Sequence, residues 1–196
     1  MIPCKEQCVF VIAGPAGSGK DSVIRGLKER YKNIDIAVNY ITRRARPGEV
    51  DGVHYYFIEN EEFLRKLACG DIPEHYYRKA TNTYYGLNKN DVDARLDKGR
   101  VVAMQLQIVG AKYVKEAYGA TTIFIEPSLS SDFEKRMRER SPMSDAEWKE
   151  REAFTKREIV EEAVWYDYRI VNEDGKLEET ISHVVRILQK EGYVLE

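Results

Sequence analysis

The sequence predicts an α/β domain in which helices cover both faces of a parallel sheet. Short apolar runs of strand length recur along the chain, and segments with helical spacing of their apolar residues separate them. A glycine-rich turn joins the first of these runs to the first helix. Strands that alternate with helices in this way are typical of parallel sheets built from βα units.

The individual elements follow from the same patterns. Residues 8–13 (CVFVIA) form a buried strand, because nearly every side chain is apolar, and a helix follows the glycine-rich turn. Further strands are predicted at residues 101–106, 121–125 and 169–171. Further helices are predicted at residues 109–117, 129–140 and 177–190, with another near 61–67.

The 196 residues are predicted to form one domain with two interruptions of the alternating pattern. Residues 35–91 are rich in Tyr, Asn and Gly and are expected to form an inserted subdomain. Residues 136–160 are almost wholly charged and are expected to form a mobile helical segment, or simply a solvated helix face. The predicted core is residues 1–34, 92–135 and 161–196.

Charge and composition limit the classes of partner. Lys and Arg number 31 against 33 Asp and Glu, a net charge of −2, which gives no general basis for binding nucleic acid or a membrane surface. The longest apolar stretch, residues 9–13, is far too short to span a bilayer. The three cysteines lack metal-ligand spacing, which is typical of a reducing compartment. We therefore expect a cytoplasmic protein with no nucleic-acid, membrane or obligate protein partner.

Residues 14–20 (GPAGSGK) match the phosphate-binding pattern G-x-x-x-x-G-K between a strand and a helix. Glycines allow successive backbone N–H groups to point at phosphate oxygens, and Lys20 reaches the β and γ phosphates. The pattern predicts a three-layer α/β/α P-loop NTPase fold that binds ATP. The ATP-binding residues predicted here are Gly14, Ala16, Gly17, Ser18, Gly19, Lys20, Asp21 and Ser22.

The position after the lysine departs from the usual pattern. Ser or Thr normally follows and ligates Mg²⁺, whereas this chain has Asp21 and then Ser22. Asp21 is either an acid favoured by the helix dipole in the first turn or an outer partner of the metal. Ser22 is predicted to supply the hydroxyl near Mg²⁺.

A second anion site is indicated by residues 39–52. Arg43 and Arg46 lie three apart in a compact segment, and guanidinium groups bind phosphate through paired hydrogen bonds. In isolation the segment would be interpreted as a solvated basic loop. The resemblance described next gives it a function.

The whole chain resembles the guanylate kinase family, from the phosphate loop to the last helix. That family carries T-R-x-x-R-x-G-E-x-x-G followed by a Tyr and a Phe, and here these are Thr42, Arg43, Arg46, Gly48, Glu49, Gly52, Tyr55 and Phe57. Later matches are Glu74, Tyr85-Gly86, residues 125–129, Arg136, Arg140, Arg151 and residues 167–172.

The resemblance implies roles for particular residues and segments. Residues 35–91 become an acceptor-binding insertion and residues 136–160 a helical lid. The implied acceptor-binding residues are Asn39, Arg43, Arg46, Tyr55, Glu74, Tyr85 and Gln107. The implied catalytic residues are Lys20, Arg136, Arg140 and Arg151, and Asn172 near the adenine pocket joins the ATP-binding set. The implied reaction is phosphoryl transfer from ATP, accompanied by Mg²⁺, to a nucleoside monophosphate, with GMP or dGMP favoured.

Three residues of the base pocket depart from the family pattern. Leu87 stands where a Ser or Thr contacts the guanine carbonyl, and Gln105 and Gln107 replace a pair of aspartates. A leucine donates no hydrogen bond, and an unpartnered buried polar group costs about 1–3 kcal/mol. Weaker guanine selectivity is therefore expected, and a kinase for another nucleoside monophosphate remains an alternative.

Two other classes share the fold. The ribose 1,5-bisphosphate phosphokinases carry Gly-Lys-Asp-Ser and Tyr-Ile-Thr-Arg, which occur here at residues 19–22 and 40–43. Arg46, Tyr55 and Glu74 favour a nucleotide acceptor instead. Non-catalytic guanylate kinase-like binding modules typically have a degraded phosphate loop, whereas this loop is intact.

Overall fold

Nine strands form two sheets in the structure, a computed structural model that describes residues 8–128, 131–140 and 144–196 apart from the side chains of Ala80, Ser131, Asp132, Arg136 and Arg140. The strands are β1 (Val9–Ala13), β2 (Ile34–Ile36), β3 (Tyr40–Ile41), β4 (Tyr56–Phe57), β5 (His75–Arg78), β6 (Thr83–Gly86), β7 (Val101–Gln105), β8 (Thr121–Pro127) and β9 (Tyr168–Asn172). The helices are α1 (Lys20–Arg30), α2 (Asn60–Ala68), α3 (Lys89–Leu96), α4 (Ile108–Tyr118), α5 (Ser131–Arg140), α6 (Asp145–Glu161) and α7 (Leu177–Lys190).

The central sheet is parallel throughout, with the strand order β2-β7-β1-β8-β9. Every residue of β1 and β8 is buried, as expected for strands covered on both faces. Side chains of β1 alternate between two cores. Val9 and Val11 pack with α3 and α4, whereas Phe10 and Ile12 pack with α1 and α7. This is the predicted three-layer α/β/α arrangement of a P-loop NTPase.

A second sheet, with the order β4-β3-β6-β5, occupies residues 40–86. Helix α2 covers it through Phe63, which packs with Tyr40 and Ile72. Gly86 lies so close to this cluster that a Cβ would be 2.7 Å from the Phe63 ring. The sequence-predicted boundaries at residues 35 and 91 fall inside β2 and α3, and the division of the chain into these units remains a prediction.

Helices α5 and α6 lie beside the phosphate loop. Phe133, Met137 and Trp148 form a small apolar cluster that packs on Ala16 of the loop. Ser144 begins α6 with a capping box, in which its hydroxyl accepts from the Glu147 N–H and its own N–H donates to the Glu147 carboxylate. The charged segment therefore carries enough apolar surface to contact the loop. Of the described helices, none has both the length and the hydropathy to cross a bilayer.

Candidate active site

The phosphate loop owes its shape to glycines at two close approaches. Gly14 has φ 142°, and a Cβ there would lie 2.2 Å from the carbonyl oxygen of Ile125. Gly19 has φ 85°, and its Cβ would lie 2.2 Å from the side-chain nitrogen of Asn172. Any larger residue would push the loop away from β8 and β9. The loop thus sits directly at the carboxyl ends of the central strands.

Asn172 holds the loop from below. Its amide nitrogen donates to the Ser18 carbonyl at 2.9 Å, and its amide oxygen accepts from the Thr180 hydroxyl at 2.9 Å. Both ends of the amide are therefore used within the protein. Asn172 therefore has a structural role, because it links the phosphate loop to α7. Its contact with ATP remains a prediction.

A cleft of about 980 Å³ opens in front of the phosphate loop. Its walls are the loop itself, the cleft face of β5 and β6, the turn from β7 into α4, and one face of α6. Of the predicted site residues, it is lined by Gly14, Ala16, Lys20, Asn39, Tyr55, Glu74, Tyr85, Gln107 and Arg151. Lys20 also donates from Nζ to the Pro15 carbonyl at 3.3 Å.

Arg43 is held by a carboxylate at the edge of this cleft. Its two terminal nitrogens donate to Glu49 at 2.6 and 2.7 Å, and the Arg46 backbone N–H donates to the same carboxylate at 2.8 Å. The Arg43 guanidinium lowers the pKa of Glu49 to about 2, so this carboxylate is ionised. The pair fixes the guanidinium plane, while the Arg46 side chain is exposed.

Three residues predicted to hold the acceptor phosphate come together. The Arg43 guanidinium lies 5.8 Å from the Tyr55 ring centroid, and the Tyr55 and Tyr85 centroids are 6.4 Å apart. Burial raises the pKa of Tyr55, so its hydroxyl stays protonated and able to donate. Arg43 and Arg46 themselves do not line the cleft in this structure.

The cleft is also lined by the Glu74 carboxylate. Glu74 is half-buried, and its Oε1 is buried with no hydrogen-bond partner among the described residues. Burial raises the pKa of this carboxyl group. Gly110 leaves room for it, because a Cβ there would lie 2.9 Å from Oε2. This carboxylate is placed to accept hydrogen bonds from donor groups of a ligand in the cleft.

The residues around Glu74 are largely committed to the fold. Leu87 is 2% exposed and its N–H donates to the Glu74 carbonyl at 3.0 Å. The Asn39 side-chain oxygen accepts from the Asn88 N–H at 3.3 Å. Gln107 precedes the first turn of α4 and faces the cleft. Leu87 and Leu106 thus add apolar surface to the cleft lining.

Helix α6 contributes both signs of charge to the cleft. Arg151 and Glu158 lie seven residues apart on its cleft face. Burial and the neighbouring Glu162 raise the pKa of Glu158 to about 7, while Lys20 and Arg151 oppose the shift. The predicted catalytic side chains of Arg136 and Arg140, on α5, lie outside the described residues.

Among the cleft-lining residues that sequence reasoning missed are Tyr76, Arg78 and Glu158. The alternation of β5 was a usable signal for the first two, because Glu74, Tyr76 and Arg78 share one face of an extended segment. Glu158 offered only its spacing of seven from Arg151. These three residues come from an exposed strand and a charged helix, where composition alone favours solvated side chains.

Comparison with known proteins agrees with this geometry. The family model described as "Guanylate kinase" matches residues 6–191. The chain belongs to the guanylate kinase family. It is 33% identical over 189 residues to the guanylate kinase of Carboxydothermus hydrogenoformans, covering 93% of this chain and 88% of that protein. It is 36% identical to the guanylate kinase of Vibrio parahaemolyticus, covering 85% and 80%.

A solved guanylate kinase shares the fold. The crystal structure of guanylate kinase from Anaplasma phagocytophilum superposes with a TM-score of 0.70 at 30% identity, covering 95% of this chain and 86% of that one. The three-layer core with its phosphate loop is therefore the guanylate kinase architecture.

Proposed function

We propose that this protein transfers the γ-phosphoryl group of ATP to GMP or dGMP, giving ADP and the corresponding diphosphate. The observation that carries the proposal is the Glu74 carboxylate, whose buried Oε1 has no partner among the described residues and which lines the same cleft as the phosphate loop. Guanine presents a ring N–H and an exocyclic amine side by side, and a carboxylate accepts both. Membership of the guanylate kinase family supports the same reaction.

Catalysis rests on positioning and charge, because the attacking oxygen belongs to a phosphate that is already ionised at neutral pH. Lys20 and the loop N–H groups bind the donor phosphates. Tyr55, Tyr85 and Arg43 bind the acceptor phosphate, with Glu49 orienting Arg43. Arg151 faces the same cleft and neutralises charge on the group in transfer, as Arg136 and Arg140 are also predicted to do.

The start of α1 fits a magnesium ion that accompanies ATP. Ser22 offers a half-buried hydroxyl and Asp21 an exposed carboxylate in the same turn. Mg²⁺ takes oxygen ligands and retains waters when it bridges a protein to phosphates, so one or two side-chain oxygens suffice. Ser22 would hold the ion through its hydroxyl, with Asp21 at most an outer partner, and the bound ion would neutralise phosphate charge.

The acceptor profile tests the proposal. ADP release would be measured with ATP and Mg²⁺ across GMP, dGMP, AMP, UMP, CMP, dTMP and ribose 1,5-bisphosphate. We expect GMP or dGMP to give the highest kcat/KM, with discrimination that is modest because Leu87 offers no donor to the guanine carbonyl. A preference for AMP or a pyrimidine nucleotide would reject the guanine assignment. Acceptance of ribose 1,5-bisphosphate alone would reject a nucleotide acceptor altogether.

A further inference from the structure

Strand β5 presents two faces with different surroundings. His75 and Tyr77 point to the α2 side, with ring centroids 6.2 Å from Phe63 and 4.5 Å from Tyr84 respectively. Tyr76 and Arg78 continue the opposite face that begins at Glu74, and all three line the cleft. Arg78 is therefore a cleft residue, although it lies on an exposed edge strand.

The sheet register brings Arg78 close to the acceptor-phosphate residues. Tyr76 pairs with Tyr85, and their ring centroids are 6.3 Å apart. Arg78 pairs with Thr83, which makes it the diagonal neighbour of Tyr85. Diagonal neighbours in an antiparallel pair lie about 7–8 Å apart, within reach of a long side chain. The Arg78 guanidinium can thus approach whatever the Tyr85 hydroxyl binds.

The positively charged residues that line the cleft indicate which of them lies near the acceptor phosphate. Among described residues, the cations that line the cleft are Lys20 of the phosphate loop, Arg151 of α6 and Arg78. Arg43 donates from both terminal nitrogens to Glu49 and does not line the cleft. The Arg78 side chain makes no hydrogen bond or ion pair with any residue that the structure describes. It is the cation of the acceptor side that faces the cleft.

We propose that Arg78 binds the phosphate of the acceptor nucleotide, beside Tyr85, as a residue additional to Arg43 and Arg46. The inference rests on the proposed function, since it assigns a further contact to the same acceptor. A guanidinium forms short charge-assisted hydrogen bonds to phosphate oxygens. Removing the guanidinium therefore weakens the binding of every acceptor that carries this phosphate. It leaves the binding of ligands without the phosphate unchanged.

The test compares Arg78→Ala and Arg78→Lys with Lys79→Ala, which removes the same charge from the neighbouring residue outside the cleft. Dissociation constants for GMP and for guanosine would be measured by calorimetry, together with KM for GMP and ATP. We expect Arg78→Ala to weaken GMP by about 10- to 100-fold and to leave guanosine and ATP unchanged. Arg78→Lys should recover part of the loss, because it restores the charge without the planar fork. Lys79→Ala should match the wild type.

Several results would overturn the inference. If Arg78 only protects an edge strand from pairing with other chains, Arg78→Ala binds GMP as the wild type does. If Arg78→Ala weakened the binding of GMP and of guanosine equally, Arg78 would contact the base or the ribose instead of the phosphate. The proposed function is tested separately. If Arg78→Ala weakens GMP binding as expected but the wild type forms no GDP, the phosphate contact stands and the proposed reaction is rejected.

Discussion

Two carboxylates at the acceptor side of the cleft have opposite electrostatic surroundings. Glu49 accepts hydrogen bonds from both terminal nitrogens of Arg43, and these bonds lower the pKa of Glu49 to about 2. Glu74 is half-buried, its Oε1 has no hydrogen-bond partner among the described residues, and desolvation raises its pKa. Glu49 thus stays ionised at neutral and mildly acidic pH and fixes the position of Arg43. Glu74 is the group whose carboxylate form depends on pH and on the arrival of a ligand with donors.

Leu87 is the residue that we expect to limit guanine selectivity. We predict that Leu87→Ser raises the kcat/KM ratio of GMP over AMP by about tenfold, because a hydroxyl donates to the guanine carbonyl and leaves adenine without a match. The measurement is steady-state kinetics with both acceptors. Leu87→Ala is the matched control, because it removes the same buried methyl groups without adding a donor. An equal ratio for Leu87→Ser and Leu87→Ala would contradict this account of the pocket.

At the scale of elements, α6 combines an apolar contact with a charged cleft face. Trp148 packs on Phe133 with ring centroids 5.7 Å apart, while Arg151 and Glu158 face the phosphate loop. The capping box and the packing of Trp148 anchor the start of α6, and Glu158 lies on the cleft side of the same helix. The raised pKa of Glu158, about 7, follows mainly from burial of its carboxyl group.

This burial gives α6 a pH-dependent effect on stability. The Glu158 pKa is raised on folding, so the folded state holds a proton that the unfolded state releases between about pH 4.5 and 7. Stability therefore falls as pH rises through this window. We predict that Glu158→Gln removes this loss, so that its Tm relative to the wild type increases from pH 5 to pH 7.5. Glu150→Gln, on the same helix, is the control.

Thermal unfolding of the ligand-free protein at the two pH values measures the effect. A Tm difference between Glu158→Gln and wild type that stays constant across the window would show that Glu158 ionises as an exposed glutamate does. A difference that Glu150→Gln reproduces would indicate general charge reduction on α6 instead.

Local patterns predicted the core elements well, and their physical basis explains why. The buried strand β1 is wholly apolar, and β8 has an apolar centre at residues 123–125, so the sequence itself identifies both strands. The second sheet was predicted only as short strand-like pieces. Its strands have two to four residues, and β5 is exposed along its whole length, so its pairing depends on contacts remote in sequence.

In the whole molecule, three parts of the fold surround the cleft and contribute different groups to it. The parallel sheet places the phosphate loop, the second sheet contributes Glu74 and the tyrosines, and α6 contributes Arg151. Sequence resemblance identified most of these residues individually. Which of them face a common space required the tertiary arrangement, and the same arrangement added Arg78 and Glu158.

In the proposed reaction, the γ-phosphoryl group of ATP passes to GMP while the phosphate loop binds the donor. The most direct measurement follows both products, ADP and GDP, by chromatography after incubation of wild type and Lys20→Ala with ATP, GMP and Mg²⁺. We predict that the wild type forms ADP and GDP in equal amounts and that Lys20→Ala slows both by at least about 100-fold, because the lysine stabilises charge on the transferring group. ADP without GDP, or a Lys20→Ala variant as fast as the wild type, would contradict the account.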